Sequence, residues 1–360
     1  MTAVANTVFV IEGSHEPQTG QGIYTDRVLA QLKQPITRIS LNGGCKSVLG
    51  RIVYSLAMVL YLSIRVGRND SVYWLMSRSR GALYREAILA RVLRRHGARV
   101  VVHLHGNELD KTIQQIPARV RTVLVTSLRK FTVIVLCDCI AKRVAEQGIE
   151  GRVHVIGNTI ENQFGTAPVT APARLPDKHV RLLYLSNLLP EKGILDAIDA
   201  LDALNARQYL GRAWSLDVAG GWGGVSDADR ARIAERMANT DAVNYHGFVV
   251  ADHKRQIFED ADIFLFPSRY KTEAFPLSLI EALLAGVPIV ARPVGCIPDM
   301  VAGCPHVDLI DLDLSLDQAL IAFAKRLSDG EVMIDTTPAF RMVGEDGPEA
   351  ICGLIQCTTK

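Results

Sequence analysis

The sequence predicts an α/β protein made of two doubly wound domains, each with a parallel sheet between layers of helices. Short β-branched runs alternate with helical patterns from one end of the chain to the other, which is typical of parallel sheets covered by helices. The runs 100–102 and 133–136 are continuously apolar, which indicates sheets buried on both faces. A proline-rich segment over 165–178 interrupts the alternation near the middle of the chain.

The same alternation places each element. In the first half we expect strands at 7–11, 36–40, 72–75, 99–104 and 133–137, and helices near 22–34, 47–66, 80–96, 115–130 and 140–148. Segment 165–178 has three prolines and no apolar period, so we interpret it as a linker. Beyond it we expect strands at 180–185, 214–219, 243–246, 262–266 and 288–291, and helices near 192–204, 226–239, 252–260, 277–286 and 315–328. The predicted domains are therefore 1–170 and 171–360, and the last helix can pack back on the first domain.

Composition excludes several classes of protein. The chain has 360 residues, of which 48% are apolar and 22% charged, so intrinsic disorder, collagen-like structure and coiled coil are excluded. The net charge of +2 conceals an uneven distribution of charge. Residues 1–175 hold 23 basic and 11 acidic side chains, whereas residues 176–360 hold 17 basic and 27 acidic ones. The basic half is expected to attract an anionic surface or substrate. Nucleic acid is not expected, since no recognised binding motif is present.

The N-terminal sequence and one apolar segment bear on localisation. The apolar run 7–11 follows no basic segment and no cleavage pattern, so no signal peptide is predicted and the protein is expected in the cytoplasm. Segment 52–64 is uncharged and lies between Arg51 and Arg65, but as a helix it would extend only about 20 Å. Two interpretations remain open for it: a buried core helix, or a helix lying in a membrane surface.

The most informative stretch is 262–292, in which a strand, a polar loop and a helix follow one another. Glu273 lies in the loop, and Glu281 lies within the helix that Gly286 and Pro288 end. The helix begins near residues 275–277, so its unpaired amide groups are predicted at the mouth of a cleft. That position suits a phosphate group.

This stretch resembles the retaining glycosyltransferases of family 4, which have the GT-B fold of two Rossmann-like domains facing across a cleft. Their frame E-[GA]-F-x-L-x-x-x-E-A-x-x-x-G-x-P is matched by EAFPLSLIEA from Glu273 onward and by GVP at 286–288. The resemblance implies that Glu273 contacts the transferred sugar and that Glu281 binds the ribose hydroxyls. Donor binding is assigned to Glu281 together with Phe275, Pro276 and Leu277.

Further segments resemble the family in the same order along the chain. The run 183–188 followed by Glu191-Lys192-Gly193 resembles the loop that carries the family's phosphate-binding lysine, which makes Lys192 the candidate for the nucleotide diphosphate. Asn187 stands where the family often has arginine, and we keep it among the donor-binding residues. Arg269 or Lys271 is expected to replace the missing charge.

Two segments of the first domain complete the resemblance. Gly20 and Gly22, in the run QTGQG at 18–22, resemble the family's glycine-rich loop near the donor phosphates and the acceptor. The run HLHGNE at 103–108 resembles its histidine-glycine segment, in which His105 is the candidate catalytic residue beside Lys192 and Glu273.

Metal and cofactor signatures are weak. Cys137-Asp138-Cys139 has no further ligand at metal-binding spacing, and no D-x-D pair or P-loop occurs. The run GGWGG at 220–224 lacks a complete G-x-G-x-x-G pattern, so we interpret it as a turn. No metal and no cofactor are therefore expected.

The resemblance implies a retaining hexosyltransferase that moves a sugar from a UDP- or GDP-sugar to an acceptor hydroxyl. The expected acceptor is a lipid-linked saccharide or polysaccharide of bacterial envelope or exopolysaccharide assembly. Residues 1–170 are expected to bind the acceptor and to contact an anionic membrane surface, which would place the protein on the inner face of the cell membrane. Two alternatives stay open: a GT-B sugar-nucleotide epimerase and a non-catalytic GT-B binding protein.

Overall fold

The computed structural model divides the chain into two compact units. It describes residues 7–13, 20–41, 47–160, 164–165, 167–270, 273–342 and 346–356. The first unit comprises residues 1–159 and 345–360, and the second comprises residues 160–344. The boundary expected at residue 170 therefore lies inside the second unit.

The first unit is built on a six-stranded parallel sheet. Its elements are β1 (Val8–Glu12), α1 (Gly20–Ala30), β2 (Ile36–Ser40), α2 (Val48–Arg65), β3 (Ser71–Leu75), α3 (Arg80–His96), β4 (Arg99–Leu104), α4 (Leu109–Gln114), α5 (Ala118–Leu128), β5 (Thr132–Val135), α6 (Asp138–Glu146) and β6 (Val153–Val155). The strand order is β2-β1-β3-β4-β5-β6. Every neighbouring pair is parallel, so the predicted doubly wound sheet is confirmed for this unit.

The second unit repeats this architecture. Its elements are β7 (Thr170–Pro172), β8 (His179–Leu185), α7 (Ile194–Ala206), β9 (Ala213–Ala219), α8 (Asp227–Ala238), β10 (Val243–Gly247), α9 (Ala251–Glu259), β11 (Ile263–Phe266), α10 (Leu277–Ala285), β12 (Ile289–Ala291), α11 (Ile297–Met300), β13 (Val307–Leu309), α12 (Leu316–Ser328), β14 (Met333–Asp335) and α13 (Thr337–Phe340). The main sheet has the order β10-β9-β8-β11-β12-β13, again all parallel.

Strand order fixes where a ligand can enter the second unit. The chain starts at β8, runs outward through β9 and β10, and then crosses to the other side of β8 to form β11, β12 and β13. The loops that leave β8 and β11 therefore turn to opposite faces of the sheet. Such a reversal of strand order leaves a crevice at the carboxyl ends of the two strands, which is where open α/β sheets bind ligands.

The segment interpreted as a linker is partly structured. Residues Thr170–Pro172 form β7, which pairs antiparallel with β14. The Ala173 amide donates to the Val332 carbonyl at 2.9 Å, and the Val169 amide donates to Thr336 Oγ1 at 2.8 Å. A structureless linker over 165–178 is thus a wrong expectation, because its partner strand lies more than 150 residues away in the sequence and leaves no local signal.

The last helix, α14 (Asp346–Gln356), belongs to the first unit. Ile351, Cys352 and Ile355 lie in the same buried cluster as Tyr24 and Val28 of α1. The Cys352 thiol donates to the Val28 carbonyl at 3.2 Å. The chain end thereby covers one face of the first sheet, where its buried apolar side chains replace solvent.

Two helices differ from the sequence expectation. The helix predicted over 115–130 corresponds to α5, which begins only at Ala118 because Pro117 is its N-cap and the residue before a proline disfavours helical backbone. The short helix α4 before it was not predicted. In α2 only Ser55, Val59 and Leu62 are buried. The interpretation of segment 52–64 as a buried core helix is therefore wrong.

Candidate functional site

The loops at the carboxyl edge of the second sheet are bonded to one another. The Ser186 amide donates to the Ala219 carbonyl, and the Leu188 amide donates to the Gly221 carbonyl at 3.0 Å. Gly220 has φ of +151°, and a Cβ there would lie 1.8 Å from the Ser186 carbonyl oxygen. Only glycine fits this close approach, so the glycine run 220–224 is a turn that packs on the loop after β8.

Lys192 is held in place by the glycine that follows it. It ends a short 3₁₀ turn, Pro190–Lys192, and Gly193 then begins α7 with a left-handed φ of +82°. A Cβ on Gly193 would lie 2.6 Å from the carbonyl oxygen of Pro267, directly after β11. Glycine therefore allows the loops after β8 and β11 to touch, which brings Lys192 to the crevice between them.

Lys192 and Glu273 form an ion pair at this crevice. The Nζ of Lys192 donates to Oε2 of Glu273, and the two side chains are only 13% and 10% exposed. Ser268 Oγ donates to the same carboxylate oxygen at 3.3 Å, and Lys192 Nζ lies 4.8 Å from the ring centroid of Tyr270. The structure thus brings together two of the predicted catalytic residues, which are 81 positions apart.

Glu281 has a different partner. It lies in α10 with a side chain 12% exposed, and its Oε1 accepts a hydrogen bond from Lys254 Nζ of α9 at 2.6 Å. Burial raises the pKa of Glu281, and the Lys254 charge opposes that rise. A lysine on the neighbouring helix therefore offsets part of the cost of burying this carboxylate.

The predicted phosphate site is the N-terminal end of α10. Pro276 is the N-cap, Leu277 is the first helical residue, and the Pro276 side chain makes no capping hydrogen bond to the first amide groups. Phe275 and Ala274 connect this end to Glu273, and the Ala274 carbonyl accepts a hydrogen bond from the Cys296 amide at 2.9 Å. The N-terminal end of α10, with its partial positive charge, thus follows directly on the residue that pairs with Lys192.

Asn187 and Arg269 lie in different surroundings. Asn187 is exposed, and a Cβ at Gly221 or Gly223 would lie within 4 Å of its amide group. The Arg269 guanidinium pairs with Asp196 in α7, close to the buried Arg292. Arg269 shares the Asp196 carboxylate with Arg292, so the expectation that Arg269 replaces the missing arginine finds no support in its pairing. Lys271 lies outside the described residues.

In the first unit, His105 lies directly after β4 in a stack of aromatic rings. Its ring centroid is 3.8 Å from that of His103, and Tyr24 meets both rings edge-on. Burial, together with His103 and Arg78, holds the pKa of His105 well below its ordinary value. Its Nε2 has no hydrogen-bond partner among the described residues. His105 is therefore a neutral imidazole at physiological pH, with one buried nitrogen that no described residue bonds.

Gly106, Gly20 and Gly22 lie in different surroundings. A Cβ on Gly106 would collide with the Arg78 guanidinium, which crosses the loop after β4 and pairs with Glu108 at 3.4 Å. Gly20 begins α1 and Gly22 lies in its first turn, so these two glycines are helical and do not form the loop expected from the sequence. Residues 14–19, which include Gln18 and Thr19, lie outside the described part of the chain.

Sequence reasoning missed three residues of these clusters. Lys254 and Ser268 contact the two predicted glutamates, and Arg78 packs over Gly106. Ser268 and Arg78 each follow closely on a predicted strand, so their position at a carboxyl end was a usable signal. Lys254 gave none, because it stands on a helix and follows no strand end, although Ile257 and Phe258 on the same side of that helix are buried.

Comparison with known proteins finds similarity to glycosyltransferases. Residues 170–303 match the family described as glycosyl transferases group 1. The amylovoran biosynthesis glycosyltransferase AmsK of Erwinia amylovora is 30% identical over 162 residues, which are 42% of this chain and 37% of that protein. The O-antigen chain mannosyltransferase B of Escherichia coli is 28% identical over 119 residues, 33% of this chain and 30% of that protein.

Similarity of fold extends further than similarity of sequence. The crystal structure of Anabaena Alr3699/HepE in complex with UDP and glucose superposes with a TM-score of 0.62 at 16% identity, covering 97% of this chain and 95% of that one. The chain spans about a third of the length of the curated relatives it matches. The fold class expected from the sequence, GT-B, is confirmed, and the residues that match glycosyl transferases group 1 lie in the second unit.

Proposed function

We propose that the chain is a retaining glycosyltransferase that moves a hexose from a nucleotide diphosphate sugar to an acceptor hydroxyl. The observation that carries the proposal is the Lys192–Glu273 pair at the strand-order reversal of the second unit. A cation and a carboxylate at the carboxyl ends of β8 and β11 stand where a doubly wound sheet binds a nucleotide. The match of residues 170–303 to glycosyl transferases supports the same chemistry.

Lys192 and the first amides of α10 would hold the diphosphate. Lys192 supplies a compact positive charge, and the uncapped helix end supplies amide donors to a phosphate. Both interactions grow stronger as negative charge collects on the departing diphosphate, so they favour bond breaking. A divalent cation is not needed for this step.

Glu273 and Glu281 would bind the sugar and the ribose. Glu273 is already held by Lys192 and Ser268, so its carboxylate has a defined direction before a donor arrives. Glu281 would accept hydrogen bonds from the ribose hydroxyls while Lys254 keeps it charged. Asn187, in place of the arginine frequent in family 4, would contribute a neutral donor beside the glycine turn 220–224.

Retention of configuration would follow from attack on the same face that the diphosphate leaves, with a phosphate oxygen accepting the proton of the acceptor hydroxyl. His105 would hydrogen-bond the sugar through its neutral imidazole, because burial keeps it from becoming charged. We assign acceptor binding to the first unit and donor binding to the second.

The acceptor we propose is a lipid-linked saccharide of bacterial polysaccharide assembly. The support is the similarity to proteins named for amylovoran and O-antigen synthesis and the excess of basic over acidic side chains in residues 1–175. The place of action would be the cytoplasmic face of the cell membrane.

The proposal is tested in two steps, first with donors and then with turnover. A panel of UDP- and GDP-sugars is screened by thermal unfolding, where a ligand at 100 times its Kd adds about 2.7 kcal/mol of stability. The stabilising sugar nucleotide is then incubated in EDTA with lipid-linked saccharides, and the anomeric configuration of the product is read by NMR. Inverted product, an epimerised donor without transfer, or turnover restored only by magnesium would each overturn a part of the proposal.

Variants at Lys192 complete the test. Lys192→Met is expected to lose turnover even with magnesium added, whereas Lys178→Met, an exposed lysine of the same unit, is expected to keep it. Equal activity in both variants would show that the phosphate clamp lies elsewhere.

A further inference from the structure

The surface of α2 is apolar where a soluble helix is normally charged. Leu49, Val53, Leu56, Leu60 and Ile64 follow one another at intervals of three and four residues, so they share one face of the helix. Their exposed fractions run from 52% to 74%. Of the helices that the structure describes, α2 is the one long and apolar enough to be considered as a membrane span, and only 17% of that apolar stretch is buried.

The apolar face continues onto α3. Tyr84 and Ile88 of α3 are 40% and 46% exposed and stand beside Ile52 and Leu56 of α2. Between the two helices runs a groove of about 560 Å³, lined by side chains of both. An apolar area of this kind, rimmed by charge, is typical of a surface that binds a partner.

All of the exposed charge on these two helices has one sign. The exposed charged side chains of α2 and α3 are arginines, namely Arg51, Arg65, Arg80, Arg91 and Arg95. Their one acidic residue, Glu86, is fully buried and bonded to Arg85 at 2.6 Å. A partner that covers the face must therefore be apolar in its centre and negatively charged around it.

We propose that the face formed by α2 and α3 docks on an anionic phospholipid bilayer, with α2 lying along the membrane surface and a lipid chain entering the groove. Leu49, Leu60 and Ile64 would enter the boundary between headgroups and acyl chains, and the arginines would contact lipid phosphates. This combination of apolar face and basic rim is what an interfacial helix requires.

The packing of α2 favours a helix on the membrane over a helix through it. Its 18 residues extend about 27 Å, slightly less than a hydrocarbon core of about 30 Å. Val59 and Leu62 are buried against the unit, and Ser55 Oγ donates to the Leu41 carbonyl at 2.9 Å. Insertion across a bilayer would break these contacts, whereas docking keeps them.

The inference goes beyond glycosyl transfer and can be tested without a donor. The purified full chain is sedimented with vesicles of phosphatidylglycerol and phosphatidylcholine, and separately with phosphatidylcholine alone. The chain is expected to bind the anionic vesicles, and this binding is expected to weaken as the salt concentration is raised. Binding to neutral vesicles is expected to be weaker by about tenfold or more.

Matched variants locate the surface. Leu60→Ser with Ile64→Ser removes two exposed side chains of α2, and Phe248→Ser with Val250→Ser removes two of similar exposure in the second unit. The α2 variant is expected to bind vesicles more weakly than the parent chain by about tenfold or more. The control variant is expected to keep the vesicle affinity of the parent chain. Thermal unfolding and light scattering of each variant verify that fold and oligomeric state are retained.

Three results would overturn the inference. They are failure of the parent chain to bind anionic vesicles, equal loss of binding in the α2 variant and its control, and a dimer of the parent chain that the α2 variant abolishes. The last would assign the face to a second copy of the chain. If the chain binds vesicles as expected but no sugar nucleotide stabilises it, the docking surface is supported and the proposed function is wrong.

Discussion

Lys254 Nζ lies 2.6 Å from Oε1 of Glu281, so a lysine on α9 neutralises the second glutamate of the family frame on α10. Neither side chain is more than a quarter exposed. The pairing gives the Glu281 carboxylate a fixed partner within the second unit. Under the proposed function, a ribose would meet a carboxylate already aligned by its partner.

The first prediction concerns this pair. Glu281→Gln is expected to weaken nucleotide diphosphate binding by about 1.5–3 kcal/mol, because hydrogen bonds to a charged acceptor are replaced by neutral ones. Lys254→Met is expected to weaken it by less, since the acceptor remains but loses its alignment. Isothermal titration calorimetry measures both. Unchanged affinity in Glu281→Gln would remove the ribose assignment, and Glu259→Gln, an exposed acid at the end of α9, serves as the control.

A second prediction uses a double-mutant cycle on Lys192 and Glu273. Each single change, Lys192→Met or Glu273→Gln, removes the charge opposite a largely buried ionic group and is expected to lower the free energy of unfolding by about 3 kcal/mol. The double variant is expected to lose clearly less than the sum. Urea unfolding followed by circular dichroism gives the three values.

The exposed pair Arg255 and Glu259 in α9 supplies the comparison for this cycle. Both side chains are more than 40% exposed, so Glu259→Gln is expected to change stability by about 0.5 kcal/mol or less. Additive losses at Lys192 and Glu273 would mean that the two side chains do not interact in solution.

The third prediction separates backbone strain from steric contact at Gly193. Gly193→Ala forces alanine to φ of +82° and places its Cβ 2.6 Å from the Pro267 carbonyl oxygen. Gly303→Ala imposes a φ of +80° with no atom within 4 Å. The Gly303 variant is expected to lose about 1–2 kcal/mol of stability from strain alone, and the Gly193 variant more than that.

Nucleotide affinity distinguishes the two glycine variants further. Displacement of the loop after β8 is expected to move Lys192, so Gly193→Ala lowers affinity while Gly303→Ala leaves it unchanged. Equal stability and equal affinity in the two variants would contradict the close approach of the β8 and β11 loops.

The fourth prediction concerns acid stability of the first unit. Burial lowers the pKa of His103 from 6.5 to about 3, so between these values the unfolded chain binds a proton that the folded chain does not. By linkage, the stability contributed by neutral His103 is present above pH 6.5 and is lost as pH falls toward 3. His105, whose pKa is also lowered, adds a loss of the same sign.

Urea unfolding at pH 7.5, 6 and 5 measures this dependence. His103→Gln is expected to flatten the decline, and replacement of the exposed His154 by Gln is expected to leave it as in the parent chain. Should His103→Gln fail to fold, His105→Gln provides the same comparison. A parent chain whose stability does not fall between pH 6.5 and 5 would contradict the neutral, buried imidazoles.

Much of the fold could be predicted because its signals are local. The strands at 36–40 and 99–104 and the helix at 80–96 have the predicted bounds, since β-branched runs and helical periods are properties of neighbouring residues. Elements that depend on distant partners were not predicted. Strand β7 has too few residues for a period of its own and exists because β14 pairs with it.

The sequence by itself determined the alternation of strands and helices, the parallel character of both sheets and the frame that contains Glu273 and Glu281. Tertiary structure alone decided which side chains meet: Lys192 with Glu273 across 81 positions, Lys254 with Glu281 across 27, and the outward direction of the apolar face of α2. The physical reason is that such neighbours follow from strand order and from the packing of helices on a sheet. Strand order and helix packing depend on the apolar surface that a whole unit buries, and no short stretch of sequence specifies that surface.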